Sequence, residues 1–233
     1  MKNRNLTFAE AINEAQIQAM KIDPNVFIFG QGVDKTALVF KTTNNILKKF
    51  GKKRIFDTPN AEQAETALAA GAANSGLRPI LIHHRVDFMA YTFDQLINWI
   101  SLWSFKSAGR SNMPLVIRSI IGKGWGQGPQ HAKTLHSMFA SLPGLKVVMP
   151  SSPSEAKGLL LSSIFSNDPV IFLEYRALYN TREYVPEKPY FIDLLQPRFR
   201  FKGNKLTLVS MGSGILNCIK SINQLKLEDK IDD

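Results

Sequence analysis

Cysteine is almost absent from this chain: Cys218 is the only one in 233 residues. A lone thiol cannot close an internal disulfide, so the fold must rest on its packed core, and a reducing cytoplasmic setting is expected. Also missing is any run near the roughly 18 consecutive apolar residues that a membrane span requires. The opening Met1-Lys2-Asn3-Arg4-Asn5 lacks the apolar stretch of a secretory signal. Acidic residues are scarce beside basic ones, 19 against 29, which leaves a formal net charge of +10. That excess raises a nucleic-acid reading, yet Lys48-Lys49, Lys52-Lys53-Arg54 and the looser set from Arg198 to Lys205 are dispersed. No nucleic-acid-binding signature accompanies them, so solvated surface or affinity for an anionic ligand or acidic partner is expected instead.

The apolar fraction of 44% and charged fraction of 21% are those of an ordinary globular enzyme. Thr7 caps a helical pattern that stops before Pro24. Buried-strand runs follow at Val26–Gly30, Arg54–Phe56, Pro79–Ile82, Pro114–Ile121, Leu145–Met149 and Val170–Leu173. Between them lie helical stretches at Asn44–Phe50, 61–75, Phe88–Ser107, Thr134–Ser141 and Ser154–Phe165. This alternation predicts an α/β fold, a mostly parallel sheet with helices on both faces, over residues 1–178. Residues 179–204, with Pro186, Pro189 and Pro197, read as a linker. A new strand, Leu206–Ser210, a turn and a helix from Ile215 begin an incomplete second α/β unit over 205–233, with an acidic end at Asp233.

Three side chains that follow predicted strands belong at the carboxyl edge of such a sheet, where parallel sheets bind ligands. Glu62 follows Asp57-Thr58-Pro59, with Pro59 placed as the first helical residue. It is either an acid that favours the positive end of the helix dipole or a carboxyl group aimed into a crevice. Phe88 stands at a strand-to-helix junction, where its face can stack on a flat heterocycle. His131 closes a loop holding Gly122, Gly124, Gly126 and Gly128, as a general acid–base or as a structural hydrogen-bonder. That loop lacks the lysine-Ser/Thr ending of a phosphate-binding loop, and Gly30-Gln31-Gly32 lacks the third glycine of a dinucleotide fingerprint. His83 and His84 are adjacent at a strand end, so one must face the crevice and the other away. His136 reads as structural, and no residues at ligand spacing predict a metal site.

Taken together these segments resemble the β subunit of thiamine-diphosphate-dependent 2-oxoacid dehydrogenase E1 components, which matches the pyrimidine-binding module of the transketolase family. The shared stretches are Asp57-Thr58-Pro59-x-x-Glu62, Gly71-Ala72-Ala73, Gly76-Leu77-Arg78-Pro79, Asp94-Gln95-x-Ile97-Asn98 and Gln130-His131, then Pro143-Gly144-Leu145-Lys146-Val147-Val148-x-Pro150 and Ala156-Lys157-Gly158-Leu159. The likeness covers roughly residues 5 to 190, and residues 205–233 match the start of the transketolase C-terminal domain. It implies the thiamine-diphosphate-binding pyrimidine-domain fold and a subunit that decarboxylates a 2-oxo acid and passes the acyl group to lipoamide. Glu62 then matches the acid that hydrogen-bonds N1′ of the aminopyrimidine and favours its 4′-imino tautomer. Phe88 matches the aromatic packed on that ring, with His84 nearby, and His131 matches a histidine beside the reacting carbonyl. His84 and Arg85 replace residues that are commonly methionine and threonine, and with Gln130 they imply a more polar substrate pocket.

The resemblance also implies an α-type partner carrying a Gly-Asp-Gly motif that holds the diphosphate and Mg²⁺; no Gly-Asp-Gly occurs in this sequence. Contact between two β-type chains in an α2β2 assembly, and docking to a lipoyl acyltransferase, follow as expectations. A split transketolase-like ketol transferase and a catalytically silent scaffold subunit are the alternatives.

Overall fold

The computed structural model describes residues 4–35, 39–124 and 126–227, so Trp125 and the acidic end at Asp233 lie outside the described residues. Strand β1 (Asn5–Thr7) leads into helix α1 (Phe8–Ile22). There the Thr7 hydroxyl accepts from the Glu10 N–H at 3.1 Å and the Glu10 carboxylate accepts from the Thr7 N–H at 2.7 Å. This reciprocal cap satisfies donors that the first helical turn leaves open. Phe8, Ala11, Ile12, Ala15 and Ala19 form the buried face of α1.

Six strands make one sheet: β2 (Val26–Gly30), β3 (Ile55–Asp57), β4 (Arg78–His83), β5 (Val116–Ile121), β6 (Lys146–Val148) and β7 (Val170–Tyr175). Their order is β3-β2-β4-β5-β7-β6, and all neighbouring pairs are parallel. Because side chains alternate along a strand, the sheet divides into two cores. Ile28, Ile80, Val116, Val170 and Phe172 pack with α1 and with α6 (Pro153–Phe165). Phe27, Phe29, Leu81, Ile117, Ile171 and Leu173 pack with α3 (Glu62–Asn74) and with Met89, Leu96 and Ile100. Helices therefore cover both faces, as the alternation of elements requires.

Arg118 crosses the first core at 2% exposure. Its guanidinium donates to both oxygens of Glu174, at 2.6 and 2.9 Å, and to the Gln16 side-chain oxygen at 2.7 Å. The Tyr179 hydroxyl donates to Glu174 at 2.6 Å. These bonds join β5, β7, α1 and the chain after β7, and they leave no charge in the group without a partner.

Several elements differ from the sequence reading. The helix expected over Asn44–Phe50 is the shorter α2 (Ile46–Phe50), and the one expected over Phe88–Ser107 is broken into a 3-10 turn (Phe88–Thr92), a π turn (Gln95–Ile100) and α4 (Trp103–Lys106). Thr92 bonds back to the Met89 carbonyl and Ser101 to that of Ile97, which diverts acceptors from a regular ladder. The Ser101 N–H reaches the Leu96 carbonyl, the wide turn that brings Leu96 and Ile100 both inward. The helix expected over Thr134–Ser141 is the shorter α5 (His136–Ala140). Residues 179–204 contain β8 (Arg182–Tyr184), which pairs antiparallel with β1, and Tyr190 anchors on the Ser154 carbonyl of α6 at 2.7 Å. The strand expected at Leu206–Ser210 forms no ladder with any described strand, and Leu206, Leu208 and Val209 are exposed. Helix α7 (Gly214–Leu227) follows.

Candidate functional site

Chain leaving β2 turns toward β3 on one side, while chain leaving β4 turns toward β5 on the other. That reversal opens a crevice at the carboxyl edge between β2 and β4. Gly30 ends β2 at φ +139°, and a Cβ there would lie within the backbone carbonyl of Ile82. Only glycine allows the approach. Next, the Gly32 N–H donates to the Asp57 carboxylate at the end of β3, which also accepts from the Thr58 N–H at 3.0 Å. Gln31 is thereby aimed across the crevice, and its amide donates to Glu62 Oε1 at 3.0 Å.

Glu62 is the first residue of α3. The N-cap is Ala61, at φ −148° and without a side-chain bond to the helix, so Pro59 lies ahead of the helix rather than in it. The positive end of the helix dipole faces the carboxylate. One turn on, Glu65 is only 4% exposed, accepting from the Thr58 hydroxyl at 2.6 Å. Burial raises the Glu65 carboxyl above its usual range; the Thr58 bond opposes this and the Glu62 charge adds to it.

At the end of β4 the two histidines part as strand alternation requires. His83, 1% exposed, turns under α3, with Nε2 3.0 Å from the Thr66 hydroxyl and Nδ1 3.4 Å from Glu65 Oε2. Burial lowers it to about 4, so its ring is neutral near pH 7. His84 turns into the crevice. Burial lowers its basicity too, Gln31 and Asp57 pull upward, and Arg85 pushes down. Arg85 follows, its Nε 3.6 Å from Asp87 Oδ2.

Glu62, His84, Arg85, Phe88 and His131 all line one cleft of about 790 Å³, together with Gln31, Lys35, Asp57 and Thr58. The His131 and Phe88 rings meet edge to face, centroids 5.3 Å apart at 74°. Gln130 is the exception among the expected residues. It is exposed and absent from the lining, where Gln127 stands instead. On the 3-10 turn Pro129–His131 successive side chains diverge by a third of a turn, so with His131 inward Gln130 faces out. The cleft has the volume of a small-molecule site, and apart from Phe40 and Phe88 its lining is mostly polar or charged. Among the described residues no three His, Cys, Asp or Glu gather as a metal-ligand set.

Residues 4–182 match the family model for the transketolase pyrimidine-binding domain. Over 222 residues, 95% of this chain and 68% of theirs, the sequence is 40% identical to the pyruvate dehydrogenase E1 component β subunits of Staphylococcus epidermidis and Staphylococcus aureus. This chain belongs to the pyruvate dehydrogenase E1 β-type family. As a β-type subunit it also shares its fold with a split-gene transketolase solved as an inactive β4 tetramer: TM-score 0.69 at 18% identity, covering 96% of this chain and 69% of that one. Transketolase from Leishmania mexicana superposes with TM-score 0.60 at 16% identity over 78% of this chain and 27% of its own. No helix among the described residues of this β-type subunit is long and apolar enough to cross a membrane.

Proposed function

We propose that this subunit supplies the pyrimidine-side half of a thiamine-diphosphate site in a 2-oxoacid dehydrogenase of the pyruvate dehydrogenase type. The observation that carries the reading is Glu62, held at 3.0 Å by Gln31 in the cleft that also presents Phe88 and His131. When bound, thiamine diphosphate supplies the carbanion chemistry that decarboxylates a 2-oxo acid. Glu62 would hydrogen-bond the ring nitrogen N1′, with its Oε1 already held by Gln31. Phe88 offers the flat apolar wall for the pyrimidine. His131 would present its imidazole to the reacting carbonyl, and His84, its basicity lowered by burial, would offer a second ring nitrogen there. Arg85 and Lys35 bring positive charge to the cleft for a carboxylate substrate.

The diphosphate and Mg²⁺ are assigned to an α-type partner carrying Gly-Asp-Gly. A second hollow of about 540 Å³ supports a partner there: it shares Glu62 with the cleft, and Ala64, Ala67 and Tyr91 line its outer side. Leu68 and Trp99 are further large apolar side chains left exposed, at 55% and 52%. An α2β2 assembly in the cytoplasm, with a lipoyl acyltransferase as acyl acceptor, completes the proposal. Ketol transfer is the weaker reading, because the transketolases share only 16 to 18% of residues.

The test is calorimetric titration of thiamine diphosphate with Mg²⁺ into the complex co-purified with its α-type partner. Binding is expected in the complex, and Glu62→Ala should lower 2-oxo-acid decarboxylation by about 10²- to 10⁴-fold, the range for loss of a positioned proton-transfer group. A complex that fails to bind the cofactor, or a Glu62→Ala variant of full activity, overturns the reading.

A further inference from the structure

Among its described residues, the loop that carries His131 makes few backbone bonds. Gly122, Gly124, Gly126 and Gly128 all sit at positive φ, between +71° and +97°, and glycine-rich backbone loses the most conformational freedom on ordering. Within it, only the His131 N–H to Gly128 carbonyl bond, at 3.3 Å, is made by backbone among the described residues. The loop is closed at its base instead. The Gly122 N–H donates to the Lys133 carbonyl at 3.1 Å, bringing entry and exit together as in a compact Ω-loop. Lys133 is then caught from outside the loop. Its N–H donates to Asp87 Oδ1 at 3.1 Å, and its ammonium lies 3.4 Å from the same oxygen. That ammonium also reaches back to the Pro129 and Gln130 carbonyls, at 3.5 and 3.4 Å, bracing the turn that ends in His131.

The Asp87 side chain is 2% exposed, and its other oxygen faces Arg85 Nε at 3.6 Å. Asp87 also directly precedes Phe88, whose ring meets that of His131. The carboxylate that secures the loop and the ring that touches its histidine are thus neighbours on one stretch of backbone. We propose that Asp87 is the positioning residue for His131: it clasps the loop exit at Lys133 and so sets the imidazole against Phe88 in the cleft. The inference rests on the thiamine-diphosphate reading for its consequence in catalysis, and on the loop geometry alone for the clasp.

The experiment compares Asp87→Ala, Asp87→Asn, His131→Ala and the Asp87→Ala/His131→Ala double variant, each in the complex with the α-type partner. Asparagine keeps an oxygen for the Lys133 N–H while losing the charge toward Lys133 and Arg85, so it should rescue part of the alanine defect. Asp87→Ala is expected to lower kcat about 10- to 100-fold with thiamine diphosphate affinity within about twofold, since Glu62 and Phe88 remain. Added to His131→Ala it should cost nothing more, because the two act as one unit. Hydrogen exchange of the bonded amides of this segment, Gly122, His131 and Lys133, should quicken at least about tenfold in Asp87→Ala, with core strands unchanged. Multiplying effects in the double variant, or unchanged exchange in that segment, overturns the clasp. Exchange also separates the two proposals: should the wild-type complex have no cofactor-dependent activity, quickened exchange still supports the clasp and unchanged exchange still refutes it.

Discussion

Lowering the pH should destabilise this fold through His83, and the size of the effect follows from its burial. The imidazole is 1% exposed and lowered to about 4, chiefly by desolvation, with the Glu62 charge opposing and His84 assisting. In the unfolded chain an imidazole titrates near 6.5. Between these values the unfolded state holds a proton that the folded state does not, so stability rises with pH across that window. The contribution is fully present above about pH 6.5 and lost as pH falls toward 4; at about 1.4 kcal/mol per pH unit the total is about 3 kcal/mol. Glu65 acts with opposite sign. Its carboxyl is raised, so its share of stability is present below the unfolded value and lost as pH rises through the folded one. His83→Asn keeps a polar side chain beside Thr66 and removes the titrating ring. Urea unfolding of both proteins from pH 7.5 to 4 should show the stability difference between them changing by about 3 kcal/mol, with the wild type losing more as pH falls. Other histidines cancel in that difference. A constant gap across the range, or an NMR titration of the His83 ring near 6.5, would refute the argument.

Two further substitutions test the scaffold under the site. Gly30→Ala should destabilise by roughly 3 kcal/mol or more, because its φ of +139° and the Ile82 carbonyl leave no place for a Cβ; thermal melting with near-native stability would contradict the close approach of β2 to β4. Glu174→Gln leaves the Arg118 guanidinium buried without its counter-charge, so a loss of about 3–5 kcal/mol is expected by denaturant titration, and a neutral result would contradict the need for that charge.

The strands were legible because each is a short apolar run. Val26–Gly30 is buried at every position, as expected for a parallel strand covered on both faces. The Phe88–Ser107 stretch misled because its apolar residues recur at helical spacing, a pattern that a 3-10 turn followed by a π turn also satisfies. Only the back-bonding hydroxyls of Thr92 and Ser101 mark the difference. Glu65 escaped notice in an alanine-rich helix whose faces contrast weakly. Its spacing with Thr66, Ala69 and Ala73, all buried, places it on the inner face, and that spacing was readable. What no local pattern holds is the meeting of Asp87 with Lys133, 46 positions apart, or the exposure of Gln130. Both depend on how a loop without periodicity closes.

The start of α3 breaks the ordinary rules for a helix end. Its N-cap is Ala61, which provides no acceptor, although Ser, Thr, Asn or Asp there is worth about 1 kcal/mol. Two acids stand three residues apart, and the inner one is buried against a histidine. The missing cap and the burial of Glu65 cost stability, which the placement of Glu62 at the positive helix end and the Thr58 bond to Glu65 partly offset. Local rules fail in this concentrated way where a site, not the fold, decides which residue stands at a position. An N-cap side chain at position 61 would compete for the first-turn N–H groups beside Glu62. The bare alanine leaves the positive end of the helix to the Glu62 carboxylate. That carboxylate, held by Gln31, stands at the reversal of the sheet.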